Sequence, residues 1–184
     1  MACGPLIGIP KNCGKNAGGM KLSTYFWLQD NLLGYNESPT LGTITAVEFN
    51  DGTAAVLPIE FKYSKNVSNL GENMVTDPTS DNTTNTVTLT IQINKREYSK
   101  HAAINTMASG ARELVAVAPD KNGNYWFCTN LVLVTVDSTT GAAPTDANMY
   151  TLTFVGELDQ LVYGIEEVNM DALFTTGKFG TLVP

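Results

Sequence analysis

Few residues in this chain have the type and spacing that chemistry needs. The segment GIPKNCGKN at residues 8–16 has the glycine–lysine look of a phosphate-binding loop. Such a loop keeps four residues between its glycines and follows the lysine with a Ser or Thr that holds Mg²⁺. Here the gap from Gly8 to Gly14 is one residue too long, and Asn16 stands where the hydroxyl is needed. No strand pattern precedes the segment and no helix pattern follows it. It is therefore not expected to bind a nucleotide.

His101 is the single histidine. It has no second imidazole to share a metal and no nucleophile at a motif spacing, so a packing or surface role is expected. Cys3, Cys13 and Cys128 are odd in number and scattered. Free thiols in a reduced compartment are expected, not a disulfide framework or a metal site. The carboxylates Glu48, Glu60, Glu72, Glu97, Glu113 and Glu157 are dispersed, and the adjacent Glu166 and Glu167 point apart in any regular element. Acid–base catalysis needs carboxyl groups in contrasting environments, which this spacing does not indicate. The run Tyr125-Trp126-Phe127 could stack on bases, but no Lys or Arg interleaves it. Core or interface packing is the expected role. The expectation is thus no catalytic residue, no metal, no cofactor and no enzymatic activity.

The most regular pattern is structural. In NTVTLTIQIN, residues 85–94, Val87, Leu89, Ile91 and Ile93 fall on one face. Thr86, Thr88, Thr90, Gln92 and Asn94 fall on the other. A period of two over this length marks a strand buried on one side only. The polar row carries no charge, whereas a solvent-facing strand usually carries Lys or Glu. That row is the candidate site, expected to form a subunit interface or a channel wall.

Composition narrows the classes further. A chain of 184 residues is one domain or one domain with extensions, and 43% apolar residues suffice for a core. A net charge of −7 argues against a grip on phosphate backbones. It is compatible with DNA passing by, since an acidic wall repels it. The start lacks the charged and apolar regions of a signal peptide, so none is expected, and no stretch is apolar enough for a membrane helix. The sequons at Asn36, Asn66 and Asn82 are then coincidental.

The elements that must position the polar row read as follows. Residues 1–19 form an extended N-terminal arm. Residues 20–158 form the main β domain, and residues 159–184 a C-terminal extension. Strands are expected at 21–29, 43–49, 53–57, 59–63, 86–94, 114–118, 124–128, 131–136 and 150–155. The strand at 21–29 is apolar on both faces and should be covered on both. Asn50-Asp51-Gly52 is a tight-turn signal, expected to fold 53–57 back as a partner strand. Residues 31–41 and the polar, turn-rich stretch 64–84 read as loops, the latter as an arm to a neighbouring subunit. Residues 99–110 read as a helix with Ser99 as N-cap and Gly110 as stop. Asn122-Gly123 marks a hairpin. The expected class is mainly β: an antiparallel β-sandwich or partly closed barrel with one short helix and extended termini.

Several of these segments, in this order, resemble phage tail-tube-like proteins, including many from phages of gut Bacteroidetes. The alternating strand NTVTLTIQINK leads into a small-residue helix at 99–110. The hairpin LVAVAPDKNGNYWFC follows, then the last strand YTLTFVGE at 150–157. Gly18-Gly19-Met20-Lys21 before the first strand fits the same pattern. The resemblance covers residues 13–158. It departs where Cys128-Thr129-Asn130 runs directly into LVLVTV, with no Gly-rich segment, and in the added tail. It extends equally to a ring protein in the neck or short tail of a crAss-like phage.

What the resemblance implies is a virion structural protein of a tailed phage, made in the host bacterial cytoplasm. It would assemble as a homo-oligomeric ring or tube that lines the DNA path. Its partners would be neighbouring ring, portal or tail proteins and passing double-stranded DNA, with no membrane. The alternatives are another virion part, such as a head decoration or fibre-base protein, or a monomeric carbohydrate-binding β-sandwich. The last would present exposed aromatics beside charged or amide groups.

Overall fold

The computed structural model describes residues 16–38, 41–63, 67–80, 82–143 and 145–182. The strands run β1 (Ser23–Leu28), β2 (Leu32–Ser38), β3 (Thr43–Phe49), β4 (Ile59–Lys62), β5 (Asn69–Asp77) and β6 (Asn82–Asn94). After helix α1 (Tyr98–Ala108) come β7 (Glu113–Pro119), β8 (Tyr125–Thr139), β9 (Met149–Leu158) and β10 (Tyr163–Ile165). Helix α2 (Glu167–Thr176) and β11 (Lys178–Phe179) close the described chain. The architecture is mainly β, a hydrogen-bonded network of eleven strands curled as a half-barrel.

The network divides at β8. Its first part, residues 125–132, pairs with β7, and residues 125–127 also pair with β10. Its last part, residues 132–139, pairs with β9. One layer, the front, therefore runs β5-β6-β9-β8. The other, the back, runs β2-β3-β10-β8-β7-β1-β4, with β11 also on β3. Pairings are antiparallel apart from the short β10–β3 contact. Asn130 sits at the bend in the left-handed region, φ 56°, where Asn is tolerated better than most residues.

Two apolar clusters hold the layers. The first joins Val87, Leu89, Ile91, Leu152 and Phe154 of the front to Phe26, Ala116 and Cys128 of the back, with Ile104 of α1. The Phe26 and Phe154 rings lie 4.9 Å apart. The second lies on the far side of the back layer, where Trp27, Val115, Val117 and Phe127 meet β3 and Met170 and Leu173 of α2. Adjacent Phe26 and Trp27 are 1% and 2% exposed and enter different clusters. This is the double coverage that the apolar faces of the first strand predict. Each such buried side chain contributes roughly 1.5–3 kcal/mol.

Several expected elements differ. Residues 31–41 contain β2, paired along β3 with two irregularities. Residues 53–57 make only one bridge, Asn50 to Ala55. The reason is occupancy: β2 fills one edge of β3, and β10 and β11 fill the other. The turn itself forms, with Asp51 Oδ1 accepting from the backbone N–H groups of Thr53 and Ala54. The described residues of the stretch 64–84 do not form an open arm. Most of it is β5 and the start of β6, because pairing with β6 satisfies the backbone of this polar edge strand. Strands expected at 124–128 and 131–136 are one continuous β8. Helix α1 starts at Tyr98 with Glu97, not Ser99, as N-cap. Lys95, at φ 63°, turns the chain early, and its N–H donates to the Asn148 carbonyl. The C-terminal stretch adds a second helix, α2, ended by Gly177 at φ 70°. Most of the N-terminal arm, with Cys3 and Cys13, lies outside the described residues.

The bend in β8 needs close approach to β9. A Cβ on Gly156 would stand 3.0 Å from the Asn130 carbonyl oxygen and 3.1 Å from that of Thr129. Both are backbone atoms that cannot swing away. Gly156→Val is expected to destabilise the fold by about 1–3 kcal/mol. Urea unfolding followed by tryptophan fluorescence checks this, with a lowered midpoint expected.

Candidate subunit-contact face

The polar row of β6 faces away from the core. Val87, Leu89 and Ile91 are fully buried, while Thr86, Thr88, Thr90 and Gln92 are half-exposed and Asn94 is exposed. Antiparallel partners share a face, so register extends the row sideways. On β5 it continues to Asn69, Gly71 and Asn73. On β9 it continues to Thr151, Thr153, Val155 and Glu157, and on β8 to Thr135 and Asp137. The five predicted residues are thus brought together as the middle of a four-stranded polar surface. None of β5, β6, β8 and β9 contains a lysine or arginine.

Among the described residues, both sides of this layer end in free edges. β5 pairs only with β6. Residues 133–139 of β8 pair with β9 on one side and with no strand on the other, among the described residues. Edge strands are usually blunted by lysine, proline or a bulge at their centre. These two lack lysine and proline, although β8 has an irregularity between Leu133 and Thr135. Val75 on β5 and Val134 on β8 are 57% and 56% exposed. Sequence reasoning expected a strand at 131–136 but none at β5, and assigned neither to this face. The alternation of LVLVTV was a usable signal for β8; polar β5 offered none.

A buried polar clamp anchors the lower end of the layer. Asn85 continues the inward row and is fully buried. Its Nδ2 donates to Glu72 Oε1 at 2.8 Å and to the Gln160 carbonyl at 3.0 Å. The Val162 N–H donates to the same Glu72 oxygen at 2.8 Å. The chain leaving β9 is thereby tied to the β5–β6 hairpin.

The remaining candidates are dispersed. Phe127 is buried in the second cluster, and Trp126 packs on the first while its Nε1 donates to Asp120 Oδ2 at 3.2 Å. Tyr125 packs on the second cluster, and Lys21 lies over its ring. The three aromatics therefore form no continuous stacking platform. Burial raises the Asp120 carboxyl, but hydrogen bonds from Asn124, Trp126 and Asn122 outweigh it and hold the group below the usual carboxylate range. Glu97 pairs with Lys95 and Lys100, Glu60 with Lys62, and Glu48 with Lys178. Among the described residues no three His, Cys, Asp or Glu groups are placed to hold a metal. No helix there is long and apolar enough to cross a membrane.

No family model matches this chain. No curated protein matches it either. Among solved structures it is similar to a chain in the cryo-EM structure of the anti-feeding prophage baseplate, determined with six-fold symmetry. The two are 9% identical with a TM-score of 0.39, over 79% of this chain and 97% of that one.

Cys128 lies at the bend, fully buried in the first cluster. Burial, and then the nearby charge of Glu72, push its thiol well above the usual range. Only the thiolate reacts, so the group should be inert while the fold persists. In a Cys3→Ser/Cys13→Ser variant, a disulfide-exchange reagent at pH 8 should label no thiol in buffer. It should label one per chain in denaturant. One label per chain under native conditions would contradict the packing described.

Proposed function

We propose that the chain is a phage-tail-like structural protein whose copies close edge to edge into a ring, with the four-stranded face, which has no lysine or arginine, lining a passage for DNA. The observation that carries this reading is the relation between the two free edges. β5 lies level with residues 82–90 of β6, and the free part of β8 lies level with residues 89–94. The strand centres are therefore offset by about 5.5 residues, roughly 19 Å along the strands. One protomer spans four strand spacings to the next β5, again roughly 19 Å across. Joining edge to edge with that offset tilts the strands by about 45°, close to the roughly 35–45° that barrel closure requires. The two edges also run in opposite directions, so they meet as an antiparallel pair. A head-to-tail contact of this kind generates closed rings.

Within this reading Thr86, Thr88, Thr90, Gln92 and Asn94 belong to the wall, because β6 is already paired on both sides. The seam belongs to β5 and β8. A wall without lysine or arginine gives DNA no salt-dependent grip. The resemblance of residues 13–158 to tail-tube-like proteins supports the same reading. The chain would then reside in the virion tail or neck, have no enzymatic role and meet other virion proteins at its rims.

The test is a Thr88→Lys/Thr90→Lys variant. Purified wild-type chain should form annular particles that do not retain duplex DNA. The variant should keep the annulus and bind duplex at least about tenfold more tightly, with affinity falling steeply as salt rises. Negative-stain microscopy and gel shifts read both. A monomeric wild type contradicts the ring, and an annular variant that still ignores DNA contradicts the wall.

A further inference from the structure

Helix α1 begins at an open hollow of about 510 Å³, lined by Arg96, Glu97, Tyr98, His101 and Tyr150. The Arg96 guanidinium is its central group, lying over the Tyr150 ring at 5.8 Å from the centroid. Its Nε is buried and makes no hydrogen bond. No carboxylate comes within ion-pair distance of Arg96 among the described residues. A buried donor without an acceptor is costly, and a charged one more so. An acceptor supplied from outside the chain would remove that cost.

Three carboxylates share this end of the front layer, and each is engaged elsewhere or faces away. Glu97 is held by Lys95 at 2.7 Å and Lys100 at 3.2 Å. Asp146 accepts from the Ala142 and Ala143 N–H groups at 2.7 Å, within its own loop. Asp137 is aligned with Thr151 and shares its outward face, whereas the next residue back, Tyr150, is buried in the first cluster. The group left uncompensated in the hollow is therefore a cation.

The surroundings of Arg96 add donors and a stacking face. His101 Nδ1 stands 3.5 Å from the Tyr150 hydroxyl. When Nδ1 accepts from that hydroxyl, Nε2 carries the imidazole proton and is a donor. The first intrahelical bond of α1 runs from the His101 N–H to the Glu97 carbonyl, and the Glu97 side chain caps no N–H. The N–H groups of Tyr98, Ser99 and Lys100 thus have no intrahelical partner, and the positive end of the helix dipole lies beside the hollow. Tyr98 is 99% exposed, so its ring is free to stack.

We infer that this hollow binds an organic oxyanion, a carboxylate or phosphate monoester carried on a planar ring. The guanidinium fork takes the oxygens, His101 and the start of α1 add donors, and the ligand's ring lies against Tyr98. A neutral ligand of the same shape leaves Arg96 uncompensated and is rejected on that account. Every group involved belongs to one chain, so binding does not depend on ring closure.

Titration calorimetry on the full chain tests this, with phenyl phosphate and benzoate as probes and benzyl alcohol as the neutral control. At least one anion should bind saturably at one site per chain, and benzyl alcohol at least about tenfold more weakly. The tighter anion tells phosphate from carboxylate. Arg96→Gln should weaken that anion at least about tenfold. Tyr98→Ala should weaken it at least about twofold, and its exposed position keeps the fold intact if Arg96→Gln does not. No saturable binding of either anion would overturn the inference. So would benzyl alcohol binding as tightly as the anions, or an anion affinity unchanged in a folded Arg96→Gln chain or in Tyr98→Ala.

Discussion

The inward row of β6 is the constraint on which the front layer depends. Val87, Leu89 and Ile91 have no exposed surface, and together with Ile93 they fill the space between the layers. Slipping the register by one residue would drive threonine and glutamine into that space and put four apolar side chains in water. The cost is several kcal/mol at roughly 1.5–3 kcal/mol per side chain. The orientation of β6 is therefore fixed, and with it the outward polar row. Register carries the same choice into β5 and β9, and through β9 into β8.

β8 converts that local choice into an architecture. It pairs with β7 of the back layer up to Val132 and with β9 of the front layer from Val132 onward. Asn130 makes the bend, and Gly156 gives it room. Because β8 leaves the back layer, its last residues have one paired side and one free side. That free edge exists only as a consequence of the bend. The same geometry sets the offset between β8 and β5, and hence the strand tilt on closure. The two free edges on which the proposed seam rests thus follow from one strand that changes layers.

Much of this was legible in the sequence, and the misses have physical causes. The alternation of residues 85–94, the two apolar faces of β1, the hairpin at Asn122-Gly123 and the helix after Lys95 all follow from local pattern. β5 was not legible, because an exposed edge strand can be polar on both faces and resembles a loop. β2 was hidden by Gly34 and by its two pairing irregularities. Residues 53–57 looked like a strand, but no edge of β3 was left to receive them. The C-terminal helix shows a buried face of only Met170 and Leu173, too little for periodicity to reveal. Of the site, the centre was readable and the edges were not, since edges are defined by which partners are missing.

Edge-to-edge closure requires β5 of one copy to pair with the free edge of β8 of the next. Cross-linking measures this directly. With Cys3 and Cys13 replaced by serine, Asn73→Cys and Thr135→Cys place one thiol on the same outward face of each edge. A single chain carrying both should give, on mild oxidation, a ladder of covalent multimers ending at the ring. A mixture of the two single variants should give dimers only, and neither single variant alone should cross-link. Absence of intermolecular bonds in the double variant, or equal cross-linking by one single variant alone, would contradict edge-to-edge closure.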